Sequence, residues 1–232
     1  VFPYFAGLTF SADFLKSSGW PGLPSVFSKA PVSTQQIMHP ALYRSGKMAG
    51  VVILPEIDKL MGPDWTKLEE NIMGEFGWKE VLKQFLGEDR AKTLAAAWDG
   101  DRYVVYEQKG TKRLALISRL RLSNEVQATR YFGQYSEALE KKYDRRTNLF
   151  RRPDFFSFDV NGSTVYLRCA DVECISVEGV SRPIFDSINK AIGWPAAPVA
   201  PLDPAEPAKT SAHAIIRDGS VSSAVRGSSH LQ

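Results

Sequence analysis

The side chains able to do chemistry are few and scattered. The chain has three histidines, His39, His213 and His230, and two cysteines, Cys169 and Cys174, in 232 residues. No two histidines fall within four positions of each other. The His-Glu-x-x-His pattern, which sets two imidazoles on one helix face around a zinc ion, is therefore absent. Two of the histidines sit in the C-terminal stretch, so only His39 remains as a base, and no serine–histidine–acid arrangement assembles around it. No glycine-rich phosphate loop is present. Asp99-Gly100-Asp101-Arg102 places two carboxylates beside a guanidinium, a set that could hold a metal or polarise a water. The competing reading, and the expected one, is a helix-to-strand turn whose aspartates cap backbone amides while the arginine pairs with an acid. His39, ahead of Pro40, is expected to satisfy its own loop, with a pocket role as the alternative. His39, Asp99, Asp101 and Arg102 are thus the candidate pocket residues.

Charge offers one further site. Lys141, Lys142, Arg145, Arg146, Arg151 and Arg152 put six cations into twelve residues, with Tyr143 and Phe150 between them. Arg145, Arg146, Arg151 and Arg152 form the candidate basic patch, since cations neutralise phosphate and rings stack on bases. The whole chain carries 29 Lys and Arg against 26 Asp and Glu, a net charge of only +3. That balance argues for a solvated helix end and against a nucleic-acid partner. Cys169 and Cys174 flank Ala170-Asp171-Val172-Glu173. They are expected as two half-buried free thiols, with a cross-hairpin disulfide as the alternative.

The elements that must position these residues follow from periodicity. Residues 1–48 read as short helices: Phe5, Leu8, Phe10, Phe14 and Leu15 have helical spacing up to Gly19, a second helix covers Pro21 to Phe27, and Ser33 caps Thr34 to Met38. Val51 to Leu54, β-branched and aliphatic, predicts a buried strand. Asp64 is read as the N-cap of a helix bearing Leu68 and Ile72, and Val81, Leu82, Phe85 and Leu86 give a second apolar stripe. Ala91, Leu94, Ala95 and Trp98 predict an amphipathic helix that stops at Asp99. Beyond it the period changes to two. Tyr103–Glu107 and Leu114–Leu120 form a hairpin, Ser123 caps a helix to Tyr143 with Ala128, Phe132, Tyr135 and Leu139 inward, and Phe155–Val160 and Ser163–Cys169 join through Asn161-Gly162. Glu173–Val177 adds a strand, and Pro183 opens a last helix ended by Gly193. Helices followed by hairpin-linked strands predict an α+β fold with a mainly antiparallel sheet. The longest apolar run, Ala49 to Leu54, is far short of the roughly 20 residues of a membrane span.

Composition changes at Trp194. The globular domain is expected over 1–194 and an extended Pro/Ala/Ser-rich tail over 195–232, with prolines at 195, 198, 201, 204 and 207 in polyproline II spacing. A segment of this kind is ordered only when held, so a partner protein or neighbouring subunit is expected to bind it, with Ala214, Ile215 and Ile216 as the apolar anchor.

Three segments in order resemble one family: Tyr4-Phe5-Ala6-Gly7-Leu8-Thr9-Phe10, then Gly19-Trp20, then Pro31-Val32-Ser33-Thr34-Gln35-Gln36-Ile37-Met38-His39-Pro40. With Gly74-Glu75, the stretch Ala95 to Tyr106 and Val177-Glu178-Gly179, they are similar to the distal half of bacterial minigluzincin-type zinc metallopeptidases. The zinc-binding helix and glutamate of that family precede the stretch this chain resembles, so no residue here inherits a catalytic or metal-ligating role. The resemblance implies an exported, periplasmic or cell-surface protein, and a zinc cofactor only together with a further N-terminal half. The reading that results is a catalytically inert C-terminal scaffold of a zinc-metallopeptidase-like protein. A non-catalytic subunit of a larger assembly is the alternative, and a nucleic-acid module using the basic patch is the weaker one.

Overall fold

The computed structural model describes residues 2–199. The proposed tail anchor, Ala214, Ile215 and Ile216, lies outside them. The fold is α+β: N-terminal helices lead into a seven-stranded antiparallel sheet with helices packed on it. The strands are β1 (Trp65–Asn71), β2 (Trp98–Gln108), β3 (Leu114–Leu122), β4 (Thr147–Arg151), β5 (Phe155–Val160), β6 (Ser163–Ala170) and β7 (Glu173–Val180), in the order β1-β2-β3-β7-β6-β5-β4. The helices are α1 (Phe2–Ser28), α2 (Thr34–Met38), α3 (Pro40–Arg44), α4 (Ile57–Met61), α5 (Gly74–Leu86), α6 (Glu88–Ala95), α7 (Glu125–Lys142) and α8 (Arg182–Ala191).

Both faces of the sheet are covered. Alternation along the central strands sends Leu120, Val165, Leu167 and Cys174 to one face, under α5, α6 and α7. Ile117, Tyr166, Ile175 and Val177 go to the other, under α4 and α8. A strand buried on both sides loses the polar alternation of a half-exposed one, which is why β5 to β7 read as nearly continuous buried runs. Each large apolar side chain so removed from water contributes about 1.5–3 kcal/mol. The expected inward face of α7 is there: Phe132, Tyr135 and Leu139 are all buried. Asn161 and Gly162 both take positive φ, 51° and 73°, as a tight type I′ connection of β5 to β6 requires.

Four expectations change. Residues 65–71 are strand β1, not a helix capped by Asp64: they pair with β2 from Trp65 opposite Gln108 to Asn71 opposite Tyr103. The register shifts between Lys67 and Glu69, so Leu68 is an extra residue that disguises the two-residue period. Trp98 begins β2, and the helix before it ends at Ala95, so the apparent i+7 position belongs to a strand. Asn124, not Ser123, caps α7, its side chain accepting from the Gln127 amide at 3.0 Å. Val51 to Leu54 joins no strand, with Val51 85% and Ile53 70% exposed. The outer edge of β2, which could have paired with it, is already taken by β1.

Cys169 and Cys174 form a disulfide, contrary to the expectation of two free thiols. They stand directly opposite each other on β6 and β7, with Ala170 paired to Glu173 nearer the turn. Hairpin register had put the two sulfurs within bonding reach. Because the turn already closes this short loop, the bond adds about 1–2 kcal/mol of stability. Thiol titration should find no reactive cysteine before reduction and both afterwards, with a modest fall in Tm. Two accessible thiols in unreduced, oxidatively folded protein would contradict the pairing.

Candidate functional site

One carboxylate organises the region where the candidate residues meet. Asp101, on β2 and only 3% exposed, accepts from the Met73 amide at 2.8 Å, the Gly74 amide at 2.9 Å and the Trp98 indole Nε1 at 2.7 Å. The first two are free donors at the start of α5, where a negative charge is also favoured by the helix dipole. Asp101 therefore fixes the entry of α5 onto the start of β2. The expected helix-to-strand turn is not there, since residues 99–102 lie within β2; of the two aspartates Asp101 caps amides, across the fold and not in a local turn, while Asp99 pairs with cations. Arg102 pairs with Glu70 of β1 at 3.0 Å, and Asp99 takes Lys47 and Arg121, each at 3.1 Å.

Above Asp101 lies an open groove of about 490 Å³. Val32, Met48, Val51, Val52, Ile72 and Met73 form its walls, and Trp98, Gly100 and Asp101 its base. Gly100 makes the base: at φ +148° it is crossed so closely by the Gly50 carbonyl that a Cβ there would collide with it. The crossing segment is tied by the Gly50 amide to the Asp99 carbonyl at 2.5 Å and by Arg119 Nη1 to the Ile53 carbonyl at 2.9 Å. Asp101 and Arg102 line the groove, while His39 and Asp99 are not among its lining residues.

His39 is half exposed and joins a residue that sequence reasoning had only quoted within a motif. Its Nε2 lies 2.7 Å from Oε1 of Glu75, whose side chain is 2% exposed. Gln35 beside it donates to the Trp98 carbonyl at 2.7 Å, and Ser33 caps α2 as expected. Burial pushes the Glu75 carboxyl above its ordinary 4.5, against the pull of His39, and its Oε2 has no protein partner. A buried glutamate at the first turn of α5 carries no sequence signal beyond its place after a glycine.

Among the described residues no three His, Cys, Asp or Glu side chains converge as a metal centre would need. His39 and Glu75 are spent on each other, and a zinc site takes three or four protein ligands. The residues present do not fit the zinc of the resembled family by themselves.

The basic run is largely consumed by the body of the protein. Lys141 pairs with Glu137 at 2.8 Å, Lys142 with buried Glu178 at 2.6 Å and Arg151 with Glu140 at 2.6 Å, while Arg146 donates to the Glu140 and Tyr143 carbonyls. Arg145 and Arg152 are exposed, and Arg145 lines a polar recess with Arg182 and Asp159. The structure therefore does not gather Arg145, Arg146, Arg151 and Arg152 into one free cationic surface.

Asp101→Asn should be costly, because its carbonyl oxygen can still accept from the Gly74 amide and the Trp98 indole but its NH2 would face the Met73 amide, and the charge that strengthens all three bonds is gone. Losing these charge-assisted bonds is expected to remove at least about 3 kcal/mol, read from urea unfolding, and an unchanged midpoint would contradict the assignment. Glu75 gives a pH signature. Its folded pKa is raised, so between about 4.5 and that raised value the native state binds more protons than the unfolded one, and stability falls as pH rises through this window. Glu75→Gln should flatten that part of the profile and keep an acceptor for His39. Parallel profiles for the two proteins would show that Glu75 does not titrate abnormally.

No curated protein matches the chain. Among solved structures, the extracellular domain of PknH from Mycobacterium tuberculosis is similar at a TM-score of 0.36 and 8% identity, over 58% of this chain and 90% of that one. So low a score carries no argument. Among the descriptions of protein families, residues 64–178, from just before β1 into β7, match "Domain of unknown function (DUF8575)".

Proposed function

We propose that this chain is the non-catalytic scaffold portion of an exported zinc-metallopeptidase-like protein, and that the groove beside Asp101 seats the polypeptide bearing the chemistry. The observation that carries this reading is the groove wall itself. Val51 and Ile53 present aliphatic side chains to solvent, beside exposed Met48, Val32 and Ile72. Residues 51–54 join no backbone ladder and only the Ile53 carbonyl is taken, by Arg119, so their other donors and acceptors offer a template for an added strand, and the apolar walls supply pockets for its alternate side chains. The strand edge at β1 is guarded by Lys67, Glu69 and Glu70, whereas 51–54 carries no charge. The Cys169–Cys174 disulfide supports export, since such bonds persist in oxidising compartments. Among the described residues no helix is long and apolar enough to cross a membrane.

Two measurements test the proposal. The reading frame upstream of Val1 should encode a His-Glu-x-x-His helix. A start codon directly before Val1, with no such motif, would favour the separate-subunit reading. With the upstream polypeptide co-expressed, Val52→Glu or Ile72→Glu should weaken its association roughly tenfold or more, as for a charge placed in an interface core. Undiminished association in both variants would remove the groove from the proposal.

A further inference from the structure

We propose that Asn161 is an acceptor for N-linked sugar, added while the chain is exported. Of the five asparagines only Asn161 stands in the order Asn-x-Ser/Thr, as Asn161-Gly162-Ser163. Asp159, two residues ahead, completes the longer acid-x-Asn-x-Ser form that some transferases of exported proteins require. The motif falls where a glycan has room, since Asn161 and Gly162 are both exposed at the tip of the β5–β6 hairpin. The side-chain bonds that hold this tip come from other residues. Ser163 Oγ donates to the Val160 carbonyl and Arg113 Nη1 to the Gly162 carbonyl, each at 3.1 Å. Neither uses the Asn161 side chain, so a substituent on it leaves the turn intact.

Sugar transfer at Asn161 depends on the proposed export and not on the groove. A closed Cys169–Cys174 bond belongs to an oxidising compartment, which is also where lipid-linked sugars are transferred to protein. The reaction takes a lipid-linked oligosaccharide diphosphate and its transferase. Nδ2 of Asn161 bonds to the anomeric carbon and gives up one proton, while the bond from that carbon to the phosphate oxygen breaks and the lipid diphosphate leaves. Transfer is to the extended chain, before the ladder that runs from Phe155 opposite Arg168 to Val160 opposite Ser163 closes. In the folded protein the turn borders a polar recess of about 570 Å³, within the range of small-ligand sites. There Arg145, Thr147, Thr164 and Ser181 offer partners for sugar hydroxyls. Register sets this turn at the other end of the sheet from the groove. Asp101 is opposite Leu120 and Leu120 opposite Cys174, near the start of β7, whereas Thr164, one residue past Ser163, is opposite Val180 at its end. A glycan on Asn161 therefore leaves the groove open to its partner.

The natural protein, recovered from fractionated source cells and digested with trypsin, should give an Asn161 peptide heavier by whole sugar residues in mass spectrometry. Ser163→Ala should abolish the added mass and Ser163→Thr should keep it, since the transferase needs a hydroxyl at that position and neither substitution changes Asn161. This pair is a cleaner test than Asn161→Gln, because glutamine is strained at the φ of 51° that the turn imposes. An Asn161 peptide of unmodified mass, in protein found outside the cytoplasm with its disulfide closed, would overturn the proposal and leave the export reading standing. Protein found only in the cytoplasm with free thiols would end both. Aspartate or isoaspartate at position 161 without sugar, the product of Asn-Gly hydrolysis through a cyclic imide, would also overturn it. So would added mass that persists in Ser163→Ala.

Discussion

The arrangement around the groove hangs on the buried carboxylate of Asp101. Its oxygens take two backbone amides of the β1–α5 connection and the indole of Trp98. A buried carboxylate is costly unless hydrogen bonds replace those to water, and these three donors do so. In return the carboxylate locks three pieces of chain that are distant in sequence: the exit of β1, the first turn of α5 and the start of β2. The base of the groove, the ladder between β1 and β2, and the position of Glu75 one residue into α5 all inherit that alignment. Glu75 in turn holds His39 and hence the α2–α3 corner, so the N-terminal helices are tied to the sheet through a short polar chain.

Elsewhere the sheet is held by apolar layers with polar inserts. Between the sheet and α7, buried Glu178 accepts from Lys142 Nζ and the Tyr143 hydroxyl, both at 2.6 Å. Burial, and after it the nearby Glu178 carboxylate, push the Tyr143 phenol upward, so it remains a donor across the physiological range. On the opposite face Arg168, 5% exposed, donates to Asn189 and to the Pro195 carbonyl, each at 2.6 Å, and its cation lies 5.5 Å from the Trp194 ring. Arg182 adds bonds to the carbonyls of Ala197 and Pro198. These arginines hold residues 195–199 against the body although the composition changes sharply at Trp194. Proline-rich backbone lacks amide donors but keeps its carbonyls, and the arginines use those.

The functional reading rests on surface rather than on reactive groups. Among the described residues the candidate pocket groups are paired internally: Asp101 with amides, Asp99 with Lys47 and Arg121, Arg102 with Glu70, His39 with Glu75. What stays unsatisfied at the surface is apolar, at the 51–54 segment and along α1. Such exposed apolar surface is what the proposed docking of another polypeptide would cover.

The sequence by itself determined whatever local chemistry fixes. Asn161-Gly162 specified its tight turn, Ser33 its cap, the two-residue alternation after Tyr103 the antiparallel sheet, and the spacing of Phe132, Tyr135 and Leu139 the buried side of α7. The α+β class followed from those elements. Tertiary structure decided the rest, because the energies concerned arise between distant residues. Leu68 and Ile72 have helical spacing, yet β1 forms because the β2 edge supplies a ladder and a bulge absorbs Leu68. Val51 to Leu54 has strand composition, yet it stays unpaired because that edge is occupied. Cys169 and Cys174 bond because β6 and β7 register sets them opposite. The partnership of Asp101 with amides 27 and 28 residues away, and of Glu75 with a histidine 36 away, leaves no local pattern to read. A hydrogen bond across such separations is determined only when the chain has folded and burial has removed water as the competing partner.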